Sequence, residues 1–134
     1  TGYNSYYRLS ILSSSLPSLN CTYKNDIFTV SNTRGNASGG SYPVGLITAD
    51  EAIFGGYNVT SANNTSYLYN ASSYWTMTPA YFESNALVYY LNSGSMGTSY
   101  PTSTLKVRPV ITLKQNTVLL SGNGSTSTPY KITN

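Results

Sequence analysis

From Tyr57 to Tyr100 the chain carries eight tyrosines among runs of Asn, Ser and Thr, with almost no charge between them. The densest part runs Tyr57-Asn58-Val59-Thr60-Ser61-Ala62-Asn63-Asn64-Thr65-Ser66-Tyr67-Leu68-Tyr69-Asn70-Ala71-Ser72-Ser73-Tyr74-Trp75. Asn and Ser break regular structure into turns, while Tyr and Thr favour strands, so this stretch predicts loops feeding β-structure. Two readings of the tyrosines follow. They are the stiff, amphipathic anchors of a contact surface, or they are ordinary strand residues packed inward.

Charged residues make up 8% of the 134, far below the usual quarter, so uncharged polar groups must carry solubility. Ser, Thr and Asn together supply 52 residues. The aromatic content of 13% and the frequent Val, Ile and Leu argue for a packed fold rather than disorder. The length predicts one domain over residues 1–134 with one core. Such a surface suits a bacterial or phage protein working outside the cell. The chain starts at Thr1 without a signal peptide and is read as a mature or excised domain.

Seven Lys and Arg against four Asp and Glu give a net charge of +3, but the basic residues are scattered. Without a basic patch on an aromatic platform, nucleic acid is not expected as a partner. No apolar run approaches the roughly 18 residues that span a bilayer, so direct membrane insertion is not expected. Cys21 is alone and reads as a small buried thiol.

The clearest local signal is Thr48-Ala49-Asp50-Glu51, a capping box with acids at the positive helix end. Gly55-Gly56 then stops the helix, which is expected over about Ala49 to Phe54, docking Ala52 and Ile53. Upstream, residues 4–13 read as a short helix carrying Tyr7, Leu9 and Leu12, and residues 31–43 as a loop ending at Pro43. Ala86–Leu91 is apolar on both faces, the pattern of a central strand. Tyr89 and Tyr90 point to opposite faces, so at most one is expected to be exposed. Leu105–Lys114 alternates, which predicts Leu105, Val107, Ile111 and Leu113 facing inward, with Pro109 at an edge or bulge. Val118–Leu120 and Tyr130–Ile132 read as a closing hairpin around Gly122-Asn123-Gly124. The fold class expected is α+β with little helix.

Three blocks carry a resemblance. Gly45-Leu46-Ile47-Thr48-Ala49-Asp50-Glu51-Ala52 resembles the LPT-x-x-E-W helix start of bacterial C-type-lectin-like domains. Tyr74-Trp75-Thr76-Met77-Thr78 resembles their YWSST strand, and Lys106-Val107-Arg108-Pro109-Val110 their closing VRPV strand. The group includes formylglycine-generating-enzyme-like domains and the variable proteins of diversity-generating retroelements. It implies a twisted antiparallel sheet with short helices and long irregular loops that present a ligand surface. It also places Trp75 in a core strand. Departures matter: the calcium-binding sugar loop of the lectins is missing, and a single cysteine cannot supply the enzymes' cysteine pair. No metal and no cofactor are expected.

With no histidine, Ser-His and Cys-His chemistry is out of reach. A glycosidase using two of Asp26, Asp50, Glu51 and Glu83 stays open, although Asp50 and Glu51 are better read as helix-cap residues. The expectation is therefore a non-enzymatic adhesion or receptor-recognition domain on a cell surface or virion. It would be a monomeric unit of a larger protein, binding a protein or glycan on another surface. The alternative is a pilin-like or stalk module. The candidate contact residues are Tyr57, Asn58, Asn63, Asn64, Tyr67, Tyr69, Tyr74, Tyr81, Asn85, Asn92 and Tyr100, spread over residues 57–74, 81–85 and 92–104.

Overall fold

The computed structural model describes residues 2–11, 16–20, 44–111, 113, 116–125 and 127–133. The expectations for Leu12, Cys21, Asp26, the loop over 31–43, Thr112 and Lys114 lie outside these residues. Within them the elements run α1 (Asn4–Tyr6), a π-helical turn (Tyr7–Ile11), β1 (Val44–Leu46) and α2 (Ala49–Phe54). They continue with β2 (Tyr74–Phe82), β3 (Ala86–Asn92), β4 (Ser95–Ser99), β5 (Pro109–Ile111), β6 (Leu119–Ser121) and β7 (Lys131–Ile132). All strand pairing in these sheets is antiparallel and the helices are few, so the class is α+β.

Helix α2 forms where its caps dictate. The Thr48 hydroxyl accepts from the Glu51 amide at 3.1 Å, and the Thr48 amide donates to the Glu51 carboxylate at 2.8 Å. At the other end the Gly56 amide donates to Ile53 and the Tyr57 amide to Ala52, both at 2.9 Å, with Gly56 at φ +94°. That pair of bonds is a Schellman motif, and it turns the chain so that the next side chain, Tyr57, packs back on the helix. Ala49 and Ala52 are fully buried, and Ile53 packs at the margin of the core.

The principal sheet has the order β2-β3-β4. β3 is central as expected: Leu87, Tyr89 and Leu91 are buried, while Val88 and Tyr90 on its other face are half-buried. Tyr74, Thr76 and Thr78 face the same core from β2. Thr78 also joins helix to sheet, because its hydroxyl accepts from the Ala49 amide at 2.9 Å. Trp75 sits on the opposite face and is half-buried, edge-on to Tyr90 with ring centroids 6.4 Å apart. Trp75 lies in a strand of the principal sheet, as the resemblance implies, but alternation along β2 turns its side chain away from the layer that Leu9, Ala52 and Leu68 build.

The outer edge of β2 is covered piecewise. Tyr3 donates its amide to Ala80, Met77 to Ile47, and Trp75 to Lys106, each at 3.0 Å. The N-terminal helix begins as an α turn and widens into a π turn over Tyr7–Ile11. It buries Leu9 but leaves Tyr7 exposed. Arg8 from its π-turn reaches buried Asp50, with contacts of 2.5 and 3.2 Å, and Asp50 also accepts the Ser18 amide at 2.7 Å. Asp50 thus anchors the N-terminal segment as well as favouring the start of α2.

The expectation for residues 105–114 also requires correction. Among the described residues of this segment only Pro109–Ile111 forms a ladder, with β1, and Val107, Ile111 and Leu113 are exposed while Leu105 is half-buried. Strand alternation is present in the sequence, but none of the described residues forms a second layer over that face. Pro109 takes the first position of its strand, where a missing N–H does least harm. The closing hairpin forms as β6 and β7, with Gly122 at φ +103° and Gly124 at φ +79° in the turn.

Candidate ligand-binding face

The loop over 57–73 is built by its own polar side chains. Asn58 Oδ1 accepts from the Thr60 amide and hydroxyl, both at 2.9 Å, and Asn63 Oδ1 does the same for Thr65 at 3.0 and 2.7 Å. Asn70 Oδ1 takes the Ser72 amide at 3.0 Å. These are Asx turns, in which the side chain replaces a backbone acceptor. The Asn63 amide group also donates to Gly56 O at 2.8 Å, and Ser66 Oγ donates to Gly55 O. The loop is fastened to the β3–β4 hairpin by Asn63 N to Gly94 O at 2.9 Å and Met96 N to Asn58 O at 3.0 Å. Position 94 must be glycine, since φ is +89° and a Cβ would stand 2.4 Å from the Asn63 carbonyl oxygen.

At the centre of the loop is the Leu68 carbonyl, which accepts three donors: Tyr74 Oη at 2.8 Å, Arg108 Nη1 at 2.9 Å and Tyr57 Oη at 3.2 Å. The Arg108 guanidinium also stands 5.5 Å from the centroid of the Tyr74 ring, a cation–π distance. Leu68 itself is buried. Its neighbours Tyr67 and Tyr69 project outward, 78% and 41% exposed. Burial, and behind it the adjacent Tyr74 phenol, pushes the Tyr57 hydroxyl up to about 12, so it remains a donor at any physiological pH.

Two of the expected contact residues are thereby corrected. Tyr57 and Tyr74 are 3% and 2% exposed and belong to the core, so neither presents a surface to a ligand. Tyr57 is carried inward by the Schellman turn and Tyr74 by the core-facing register of β2. The signal for Tyr57 was available in the sequence, since an apolar ring following Gly-Gly at a helix end suits the inward position of that motif. Asn58 and Asn63 spend their side-chain oxygens inside the loop. Asn64 is exposed, and exposed Asn92 accepts from the Ser73 hydroxyl at 3.1 Å.

The expected single face also divides. In an antiparallel meander the β2–β3 turn and the β3–β4 turn lie at opposite ends of the sheet. The seven residues of β3 separate them by about 20 Å. Tyr67, Tyr69, Asn64 and Asn92 lie with the β3–β4 end. Tyr81, exposed Asn85 and exposed Tyr100 lie with the β2–β3 end, because Tyr81 pairs with Leu87 and Ser99 with Val88. Tyr81 is half-buried against Tyr6, with centroids 4.7 Å apart.

Arg108 was missed by sequence reading, which placed it on a strand between inward neighbours. A lone basic residue in the apolar run Val107–Ile111 was the available signal. Among the described acids, Asp50 is held by Arg8 and Glu51 by the capping box, which leaves Glu83 in the β2–β3 turn. No group of three His, Cys, Asp or Glu that could hold a metal ion occurs among the described residues. None of the described helices is long and apolar enough to cross a membrane. No protein-family model, curated protein or solved structure matches the chain.

Proposed function

We propose that this chain is a non-enzymatic ligand-binding domain of the C-type-lectin-like group, acting in adhesion or receptor recognition on a bacterial or phage surface. Its binding element is the loop over 57–73, and its ligand is a protein or glycan on another surface. The resemblance of the sequence blocks to retroelement variable proteins suggests that this binding face is a diversified one.

The observation that carries this reading is the alternation at residues 67–69. Leu68 is buried and its carbonyl is held by three donors, while the tyrosines on either side stand in solvent. Exposed aromatic rings on a loop already fixed by internal hydrogen bonds lose little entropy on binding. Such anchors concentrate affinity, each contributing about 2 kcal/mol or more.

Replacing Tyr67 and Tyr69 together by Ser should abolish binding on a glycan or protein array and change the unfolding free energy by less than about 0.5 kcal/mol. A variant that melts early would mean the two rings are structural. A stable variant that keeps its array ligand would remove this loop as the binding element.

An assembly module is the second reading, favoured by exposed Val118, Leu119, Leu120 and Ile132 on the C-terminal hairpin. A chain that stays monomeric at high concentration in sedimentation would remove that reading.

A further inference from the structure

The geometry points to a second binding site, at the end of the sheet away from Tyr67, for a methylated ammonium group of the choline type. It lies in a cleft of about 420 Å³ lined by Gly2, Tyr6, Tyr81, Phe82, Glu83 and Ser84. The cleft is open to solvent rather than enclosed, and is wide enough to take a small organic cation. Three of the six lining residues are aromatic, one is a carboxylate, and none is Lys or Arg. Aromatic faces carry the negative lobe of the ring quadrupole and attract a cation within about 6 Å of the centroid.

The rings are positioned before any ligand arrives. Tyr6 rests on Tyr81 with centroids 4.7 Å apart and planes at 49°, and meets Tyr7 edge-on at 6.0 Å. The backbone behind Tyr6 is pinned to β2 through Tyr3 N to Ala80 O at 3.0 Å and Ser5 Oγ to Pro79 O at 2.6 Å. Gly2 bridges to Tyr81, and a Cβ at that position would stand 2.9 Å from Tyr6 Cδ1 and 3.0 Å from Tyr7 Cε2. The absence of a side chain there lets the backbone at Gly2 lie directly against the two rings.

Asp50 is neutralised by Arg8 and Glu51 is consumed by the helix cap, whereas the Glu83 carboxylate has no hydrogen bond or ion pair among the described residues. The chain as a whole carries +3, so it has no general attraction for cations and any cation held here is held locally. A methylated ammonium is weakly hydrated and can lay its methyl groups on the rings while its charge faces Glu83. A small hydrated metal ion gains nothing from the rings. A neutral sugar could stack on them but would leave the carboxylate's charge unused.

The test is a titration of the full chain, following Tyr and Phe ring resonances by NMR. The probes are choline, its uncharged isostere 3,3-dimethylbutan-1-ol, and methyl glucoside. Choline should shift the Tyr6, Tyr81 and Phe82 resonances saturably in the millimolar range, and the isostere should bind about tenfold more weakly or worse. Glu83→Gln, in an exposed turn, should weaken choline several-fold without moving the melting temperature. Tyr6→Leu should abolish the shifts; should it fail to fold, Glu83→Gln carries the test alone. The Tyr67→Ser, Tyr69→Ser double variant should bind choline normally, which separates this site from the loop. Equal binding of choline and its isostere, saturation by methyl glucoside instead, or no saturable shift with choline would each overturn the assignment.

Discussion

Strand β3 and the C-terminal strands β5 to β7 are made of similar side chains and meet opposite fates. In β3, Leu87, Tyr89 and Leu91 are buried, whereas every residue of β5, β6 and β7 is exposed. The difference is one of neighbours. β3 is hydrogen-bonded along both edges and covered on one face by Leu9, Ala52 and Leu68. β5 pairs only with three-residue β1, and β6 and β7 pair only with each other. Two-stranded ribbons have no layer to bury against and are marginal alone. Strand-forming side chains thus specify extended backbone, while burial depends on what the rest of the chain lays over it.

The largest effect should come from removing apolar volume on the buried side of this contrast. Leu91→Ala, at a site with 0% exposure, should cost about 2–5 kcal/mol in chemical denaturation. Leu120→Ala, at 63% exposure, should cost less than about 0.5 kcal/mol. Equal costs would mean that the C-terminal ribbon is covered in solution, and the comparison would fail.

Next in size is the polar tie that holds the N-terminal segment over the covered face of the sheet. Asp50→Ala leaves Arg8 and the Ser18 amide without their acceptor, and should cost about 2–3 kcal/mol. An unchanged urea midpoint would show that apolar contacts alone fix that layer.

The third effect on the buried side appears only in alkali. The Tyr57 hydroxyl titrates at about 12 in the folded chain against 10.0 for the free group. The folded state therefore keeps a proton that the unfolded state loses. The stability this represents is fully present below pH 10 and is lost as pH rises through about 12, amounting to roughly 2–3 kcal/mol. Burial raises the Tyr89 hydroxyl in the same direction. Denaturation midpoints of the wild type should fall steeply across this window, and Tyr57→Phe should flatten the fall. A variant with the wild-type slope would assign the alkaline loss elsewhere.

Much of the scaffold was legible because it is local. Thr48 and Glu51 can only be read as a capping box, and Gly55-Gly56 as its stop, since both depend on residues within one turn of each other. The two-faced apolar run Ala86–Leu91 marked a central strand for the same reason. The contact surface was only half legible. Tyr67, Tyr69 and Tyr100 are exposed, but Tyr57 and Tyr74 look identical to them in composition and are buried.

The helix with its caps, the central strand and the polar loop with its Asn turns follow from the order of residues, because all are set by interactions a few residues apart. Tertiary structure alone decided which tyrosines face inward, because that depends on Leu68 O meeting donors from Tyr57, Tyr74 and Arg108, the last forty positions away. It also decided that the expected face divides between two ends of a sheet. Antiparallel pairing sends successive turns to opposite ends, and that pairing is fixed by hydrogen bonds between strands rather than by any one segment.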